Sequence, residues 1–345
     1  MRLRLAYRRY SLPFRQPVRT AHGAWAQREG VIVRLTDEAG GTGYGEAAPI
    51  PWFGTETLDE IETALAGLGE WMTEEPLAAV PARLGCLRFA LAGARATLAG
   101  GRESGGAEYL PVAALLPAGR AALTAAGPKI ELGFRTFKWK VGVGDLADEL
   151  ALLDDVIAAL PTGSKLRLDA NGAWTARQAA QWLERAADRP IEFIEQPCFA
   201  EASQGAALHR RMEDTLRGLA EDYPTPLALD ESLVGANDVE RWLAAGWRGI
   251  FVIKPSLLGD PAPVLARLAA AKADVVFSSA LETVVGARAA LRAAFSWNVE
   301  KPRALGFGVW PLFENNAFDG PFCAPFFRVE DVGRLNPEAV WNALT

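Results

Sequence analysis

Short β-rich runs alternate with helical segments from about residue 112 to about residue 297, and this alternation restricts the fold more than any other feature of the chain. The runs are VAALL, FRTFKWK, KLRLDA, IEFIEQ, PLALDE, GIFVIK and DVVFSS. Amphipathic stretches lie between them, at 146–160, 176–187, 236–245, 261–271 and 284–297. Strand–helix alternation is typical of parallel βαβ units. Seven or eight such units in about 200 residues predict a (β/α) barrel. An open doubly wound sheet is less favoured, since no G-x-G-x-x-G motif follows the first strand.

The segments on either side of the alternating region have different patterns. Residues 1–100 combine strand patterns at 2–10 and 29–36 with helical patterns at 57–72 and 86–99, which predicts an α+β domain. The barrel domain would then span 101–308. The last segment, 309–345, is rich in aromatic residues and proline and is not a βα unit. We expect it to return and pack on the N-terminal domain.

Composition excludes several classes of protein. Half of the 345 residues are hydrophobic and 23% are charged, as in an ordinary globular chain. The net charge of −6 argues against a nucleic-acid binder. The cysteines Cys86, Cys198 and Cys323 are few, odd in number and without CxxC spacing, which argues against a disulfide framework or zinc site and favours a reducing, cytoplasmic location. The sequence indicates neither a signal peptide nor a membrane span.

Charged residues stand at the ends of five consecutive predicted strands. In chain order they are Lys138 and Lys140, Asp169, Glu195, Asp230 with Glu231, and Lys254, and Ser278 and Ser279 end the next strand. Active sites of (β/α) barrels lie at the carboxyl ends of the strands. Burying one such charge is costly, so five in succession indicate a site rather than chance. The two histidines, His22 and His209, stand at none of these ends.

Three of these strand-terminal residues are carboxylates that would converge. Unpaired, Asp169, Glu195 and Asp230 would raise one another's pKa, and a hard divalent cation would relieve the repulsion. Mg²⁺ suits three oxygen donors, whereas zinc is disfavoured because no His or Cys accompanies them. Glu231 directly follows Asp230, so strand alternation predicts that it points to the other face. There it would support the metal ligands or form an ion pair.

The lysines are placed on both sides of this predicted metal site. Lys138 and Lys140 are two residues apart on one strand, so both amines face the same side. Lys254 would stand across the barrel mouth. A free lysine is a poor base at neutral pH, but neighbouring cations and a metal lower the pKa of such a group. The arrangement suits removal of a proton next to a carboxylate.

Six segments of the chain stand out as motifs: FKWKVG (137–142), LRLDANGAW (166–174), IEFIEQP (191–197), LALDES (227–232), VIKPS (252–256) and GYGEAAP (43–49). Together they resemble the enolase superfamily, in its muconate-lactonizing-enzyme-like subgroup. The resemblance covers most of the chain. It implies an α/β fold, a (β/α)7β-type modified TIM barrel with an α+β N-terminal capping domain.

The resemblance also implies roles for the strand-terminal residues. Asp169, Glu195 and Asp230 would bind Mg²⁺, with Mn²⁺ as a possible substitute. Lys140 would be the main acid and base. Lys138 would stabilise Lys140 and the substrate carboxylate, and Lys254 would be the opposing lysine.

Within the subgroup the resemblance is closest to dehydratases of menaquinone or phylloquinone synthesis. Three motifs support this: LRLDANGAW (166–174), LALDESL (227–233) and FSSALETVVG (277–286). These dehydratases remove water from 2-succinyl-6-hydroxy-2,4-cyclohexadiene-1-carboxylate, so the expected partner of this chain is a small-molecule carboxylate substrate. Racemisation of N-succinylamino acids or epimerisation of dipeptides would use the same two lysines. GFGVWPLFENN (306–316) lacks the Asp-x-Asp typical of dipeptide epimerases. An inactive barrel that serves as a binding protein would have lost a ligand or a lysine, and none is missing.

Four further residues are candidate substrate ligands. Arg167, two residues before Asp169, faces the barrel interior and would bind a carboxylate or form an internal ion pair. Asn171 would contact the substrate or turn the chain. Ser278 and Ser279 would hydrogen-bond the succinyl carboxylate or cap the next helix. Loops at 20–23 and 51–54 suit closure over the barrel mouth.

Overall fold

The N-terminal part of the chain forms an antiparallel sheet. The computed structural model describes residues 2–20, 23–73, 79–100, 107–200 and 204–344. Four strands pair in the order β3-β2-β1-β4. Their bounds are β1 Leu3–Thr20, β2 Gly23–Thr36, β3 Thr42–Ala47 and β4 Trp71–Met72. Leu3, Leu5, Tyr10, Leu12 and Phe14 are buried while most residues between them are exposed, which is the alternation expected of a sheet with one solvated face.

The first two strands are longer than the sequence patterns indicate. They continue as a hairpin past Tyr10 and before Glu29, with Pro13 opposite Gln27 and Val18 opposite Trp25. The register shifts between Pro13 and Val18, where prolines interrupt the strand pattern. This extension carries Trp25 towards the barrel.

Two helices pack on the N-terminal sheet, α1 (Leu58–Leu68) and α2 (Gly85–Leu98). The glycines of the GYGEAAP motif allow β3 to lie directly on α2. A Cβ atom at Gly43 would stand 2.0 Å from the Ala94 carbonyl oxygen, and one at Gly45 would stand 1.8 Å from the Ala90 carbonyl oxygen. Only glycine permits so close an approach.

The second part of the chain is a curled sheet of seven parallel strands in sequential order. The strands are β6 Ala114–Leu116, β7 Thr136–Lys140, β8 Lys165–Asp169, β9 Ile191–Glu195, β10 Leu227–Leu229, β11 Ile250–Ile253 and β12 Asp274–Phe277. Seven helices lie between and after them: α3 Ala121–Glu131, α4 Leu146–Ala159, α5 Ala176–Ala186, α6 Ala206–Asp222, α7 Ala236–Ala244, α8 Pro261–Ala270 and α9 Val284–Phe295. The strand–helix alternation in the sequence therefore corresponds to βα units in space.

A short segment connects the two edges of this sheet. Leu305 bridges to Val112 and Gly306 bridges to Ser278, both in parallel orientation. The Gly306 N–H also donates to the Phe277 carbonyl at 2.7 Å. The segment occupies the eighth strand position without an eighth helix unit, as the (β/α)7β prediction requires, and that fold prediction is confirmed.

The C-terminal segment contacts both parts of the molecule. Its strand β13 (Phe326–Arg328) pairs with β5 (Tyr109–Pro111), and helices α10 (Val329–Arg334) and α11 (Pro337–Ala343) follow. Phe313 bridges to Phe14 of β1, and the ring of Trp341 lies 6.1 Å from that of Tyr44 in β3. Within the described part of the chain, no helix is long and apolar enough to cross a membrane.

Candidate active site

A cavity of about 380 Å³ lies between the mouth of the barrel and the N-terminal domain. The barrel contributes the ends of its strands and the loops after them. The N-terminal domain contributes an apolar wall, which consists of Val18, Trp25, Ile50, Trp52 and Phe53. The site is therefore polar on the barrel side and mostly apolar on the capping side, as expected for a small-molecule site.

The strand ends bring opposite charges into contact in this cavity. Lys138 Nζ lies 2.6 Å from Glu195 Oε1 and 2.8 Å from Asp169 Oδ2. Lys140 Nζ lies 2.6 Å from the same Asp169 oxygen. On the other side, Lys254 forms an ion pair with Asp230. Six of the seven strand-terminal charges singled out from the sequence thus lie in these ion pairs, because the carboxyl ends of parallel strands meet at one end of a barrel.

Burial and mutual attraction shift the pKa values of these groups in different directions. For Asp169 burial acts to raise the pKa, but Lys138 and Lys140 outweigh it and hold the pKa well below the ordinary value. Burial acts to lower the pKa of Lys138, yet Asp169 and Glu195 raise it overall. For Lys254 burial dominates, and it lowers the pKa to about 7. The two sides of the cavity therefore present lysines with different acidities.

The donor set fits a hard divalent cation. Asp169, Glu195 and Asp230 end or follow three adjacent strands, β8, β9 and β10, and are at most 5% exposed. Among the described residues, no three carboxylate, His or Cys side chains are arranged to enclose a metal as they stand. Lysine ammonium groups contact the carboxylate oxygens instead. These carboxylates already interact with positive charge, and carboxylate oxygens are the donors that Mg²⁺ prefers.

Glu231 faces the cavity, so the prediction that it points to the opposite face is wrong. Its Oε1 accepts a hydrogen bond of 3.0 Å from Asn171 Nδ2. Burial, followed by repulsion from Asp169, raises the pKa of Glu231 to about 7. The strand β10 ends at Leu229 and the chain turns there, so the two-residue alternation of a strand does not extend to 231.

Asn171 orients groups at the end of β8. Its Oδ1 accepts a hydrogen bond of 2.7 Å from Lys140 Nζ, while its Nδ2 donates to Glu231. It also lines the cavity, so both of its predicted uses, substrate contact and chain turning, are compatible with its place. Its positive φ of 46° belongs to the turn after β8.

Ser278 and Ser279 line the cavity but do not cap the following helix. That cap is Thr283, whose side chain accepts from the Val285 N–H. Ser279 Oγ donates to Glu282 Oε2 at 2.5 Å and accepts from the Leu281 N–H, and Ser278 Oγ donates to the Gly306 carbonyl. Both hydroxyl groups therefore have protein partners beside the cavity.

Arg167 does not line the cavity, and the internal ion pair is the alternative that the structure supports. Its Nε lies 2.6 Å from Glu192 Oε2, and its Nη1 donates to the Ala304 carbonyl. The ladder shifts register here: Leu166 pairs with Ile191 and Arg167 with Phe193. Glu192 is therefore the extra residue of a bulge and accepts from Arg167 near the amino ends of the strands. The predicted substrate contact of Arg167 is not supported.

Several residues of the site were not found from the sequence. Gln196, fully buried directly after Glu195, accepts a 2.8 Å hydrogen bond from the Asp230 N–H and so holds the next predicted metal ligand. Its place in the EQP motif could have indicated this. Trp25 was missed because the hairpin extension was missed. His22 lies outside the described residues.

Comparisons with known proteins agree with the fold and with the site. Residues 121–324 match the family described as enolase C-terminal domain-like, and residues 1–98 match the MenC N-terminal domain. The o-succinylbenzoate synthase of Thermosynechococcus vestitus is 40% identical over 312 residues, which cover 89% of this chain and 92% of that protein. The L-Ala-D/L-Glu epimerase of Bacillus subtilis is 27% identical over 320 residues, 85% of each chain.

A solved structure gives the same result. The crystal structure of o-succinylbenzoate synthase from Thermosynechococcus elongatus BP-1, complexed with Mg in the active site, has a TM-score of 0.82 and 36% identity. The match covers 99% of this chain and 100% of that one. The barrel with charged strand ends and its capping domain define a member of the enolase superfamily. Within that superfamily, the chain belongs to the o-succinylbenzoate synthase family.

Proposed function

We propose that this chain is a lyase that dehydrates 2-succinyl-6-hydroxy-2,4-cyclohexadiene-1-carboxylate to o-succinylbenzoate, a step of menaquinone or phylloquinone synthesis. The observation that carries the proposal is the placement of Lys140, which lines the cavity beside Asp169 and Asn171. An amine at this position is within reach of a carboxylate ligand held at the same strand ends. The 40% identity to a synthase of this name over most of the chain supports the choice of substrate.

Lys140 would act on one face of the ring as both base and acid. In its neutral form its amine takes the proton from the carbon that bears the ring carboxylate. The resulting ammonium then gives that proton to the hydroxyl group on the adjacent carbon, and the C–O bond breaks. Water leaves and the ring becomes aromatic, so one residue accounts for a syn elimination.

Asp169, Glu195 and Asp230 would hold Mg²⁺. When bound, this ion supplies positive charge that stabilises the substrate carboxylate as its α-carbon loses a proton. Lys138 would remain an ammonium, since it donates to both Asp169 and Glu195, and would add positive charge on the same side.

Lys254, in the ammonium form that pairs with Asp230, would serve as a cation on the opposite side of the substrate. Its Nζ lies 4.7 Å from the ring centroid of Phe53, which also lines the cavity. An ammonium ion beside aromatic faces is stabilised by their quadrupoles. By the same attraction, the Lys254 ammonium would stabilise the π system of the dienolate, the anion that forms when the ring loses its proton. Elimination on one face requires no base at this position.

The proposed function is tested by turnover of the cyclohexadiene carboxylate, followed by ultraviolet absorbance as the aromatic product forms. We expect turnover with Mg²⁺ and loss of turnover with excess EDTA. Absence of turnover on this substrate, together with activity on N-succinylamino acids, would contradict the proposal.

Racemisation is the second candidate, because Lys140 and Lys254 line opposite sides of one cavity. A two-base racemase needs a proton-accepting group on each side, whereas the dehydratase needs only a charge at Lys254. Lys254→Arg keeps the charge but removes the base. We expect this variant to retain part of its dehydration and to lose any racemisation.

A further inference from the structure

Arg28 is a buried cation at the junction between the capping domain and the barrel. It stands on β2 and is 1% exposed. The structure gives each of its five N–H groups a backbone carbonyl partner. Nε donates to Leu281 (3.2 Å), Nη1 to Glu29 (3.1 Å) and Pro49 (2.7 Å), and Nη2 to Ala48 (2.5 Å) and Ala280 (3.2 Å). Three of these acceptors belong to the capping domain and two to the barrel.

The two barrel acceptors form part of the cavity wall. Ala280 and Leu281 follow β12, and both line the cavity. Leu281 has a φ of 62°, in the left-handed region that branched residues seldom adopt. Its N–H donates to Ser279 Oγ at 2.8 Å, and its carbonyl accepts from Arg28. An unfavourable backbone conformation persists only where its surroundings hold it.

The same guanidinium group supports the opposite wall. Its Cζ lies 5.1 Å from the ring centroid of Trp25, and Trp25 meets Trp52 edge to face at 4.8 Å. Both rings line the cavity on the capping side. Arg28 therefore contacts the apolar capping wall and the Ala280–Leu281 wall at once, although it does not line the cavity itself.

We propose that Arg28 is a positioning residue for substrate binding, which holds the Leu281 side chain and the Trp25 ring at a set separation across the cavity. Lysine cannot replace it, because an ammonium group has three N–H donors and no planar fork, so at least two carbonyls would lose their partner. The inference rests on the proposed function only for the identity of the ligand. The contacts themselves do not depend on it.

The test compares Arg28→Lys with Arg34→Lys, an arginine of the same strand whose guanidinium lies over Trp341, away from the cavity. For Arg28→Lys we expect KM to rise on the order of 10- to 100-fold, the cost of a misplaced wall contact. We expect kcat to stay within about threefold, since the lost interaction is uniform binding. Amide hydrogen exchange of the 279–286 segment should become faster. Arg34→Lys should change none of these.

A second variant, Leu281→Ala, tests the wall directly. We expect KM to rise in the single variant and the double variant Arg28→Lys/Leu281→Ala to show less than the sum of the two effects, because both act through one contact. Additive effects, a fall in kcat with unchanged KM, or unchanged exchange at 279–286 would overturn the inference. If the wild type does not turn over the cyclohexadiene carboxylate, the proposed function fails, and the exchange comparison still decides the role of Arg28.

Discussion

Removal of the Lys140 amine should abolish dehydration while leaving the cavity and its other charges in place. General acid–base catalysis by one group contributes about 10²- to 10⁴-fold. Lys140 would act in both proton transfers, so we expect Lys140→Ala to lose about 10⁴-fold in kcat, or about 5 kcal/mol of barrier. The amine of Lys138, which shares Asp169 with Lys140, cannot substitute, because it donates to both Asp169 and Glu195.

The assay is the ultraviolet progress curve with saturating Mg²⁺, together with the dissociation constant for o-succinylbenzoate. Product binding should change little, since Lys138 and Lys254 remain. Lys165→Ala is the matched control, because that lysine begins the neighbouring strand β8 and its side chain is 60% exposed. Lys140→Arg should be as inactive as Lys140→Ala, because a guanidinium group keeps its proton. A Lys140→Ala enzyme within about tenfold of the wild type would refute the assigned base.

Three further predictions concern stability and metal binding. Mg²⁺ should raise the thermal unfolding temperature of the wild type, and Glu195→Gln should lose most of this rise in the same scan. Gly45→Ala should destabilise the protein by about 3 kcal/mol in urea unfolding, since its Cβ would collide with the backbone of α2, whereas Gly67→Ala has open space and should be neutral or slightly stabilising. Burial opposes ionisation of Glu192, but the charge of Arg167 outweighs burial and lowers the pKa of Glu192 in the folded protein. The ionised Glu192 therefore stabilises the fold at pH values above its unfolded pKa of about 4.3, and this stabilisation is lost as the pH falls through the lower pKa of the folded protein. Glu192→Gln should therefore cost about 3 kcal/mol at neutral pH and flatten this acid dependence, and an unchanged pH profile would contradict the assignment.

The barrel could be predicted from the sequence because its strands are short apolar runs, and five consecutive runs have a charged residue at the carboxyl end. Such runs are recognisable one by one, and parallel strands place their carboxyl ends together. The closing segment at Leu305 and Gly306 could not be found from the sequence, because two extended residues are too few to show the alternation of apolar and polar residues that marks a strand. The hairpin beyond Tyr10 was missed for another reason: its pairing continues through Pro13 and a register shift, where proline predicts a break.

In the site, the two-residue alternation of a strand predicted the direction of side chains correctly for residues within the strands. It places Lys138 with Lys140 on one face, and the structure brings both amines to Asp169. It failed at Glu231, which lies beyond the end of β10, where the backbone turns. Residues that act from the capping domain, such as Arg28, could not be found, because their partners are backbone carbonyls distant in sequence.

The position of Arg167 shows why facing the barrel interior does not define membership of the active site. Arg167 and Asp169 alternate onto the same face of β8, yet the long arginine side chain reaches Glu192 near the amino ends of the strands, whereas the short aspartate stays at the carboxyl ends. An apolar layer that includes Phe193 and Val252 is buried within the barrel. Arg303 Nη1 also lies 2.7 Å from Glu192 Oε1, so Arg167, Glu192 and Arg303 form one ionic cluster near the amino ends of the strands. In the described part of the barrel, one ionic cluster faces the cavity, and the cluster of Arg167, Glu192 and Arg303 lies apart from it. A variant of this second cluster should lower stability without changing kcat.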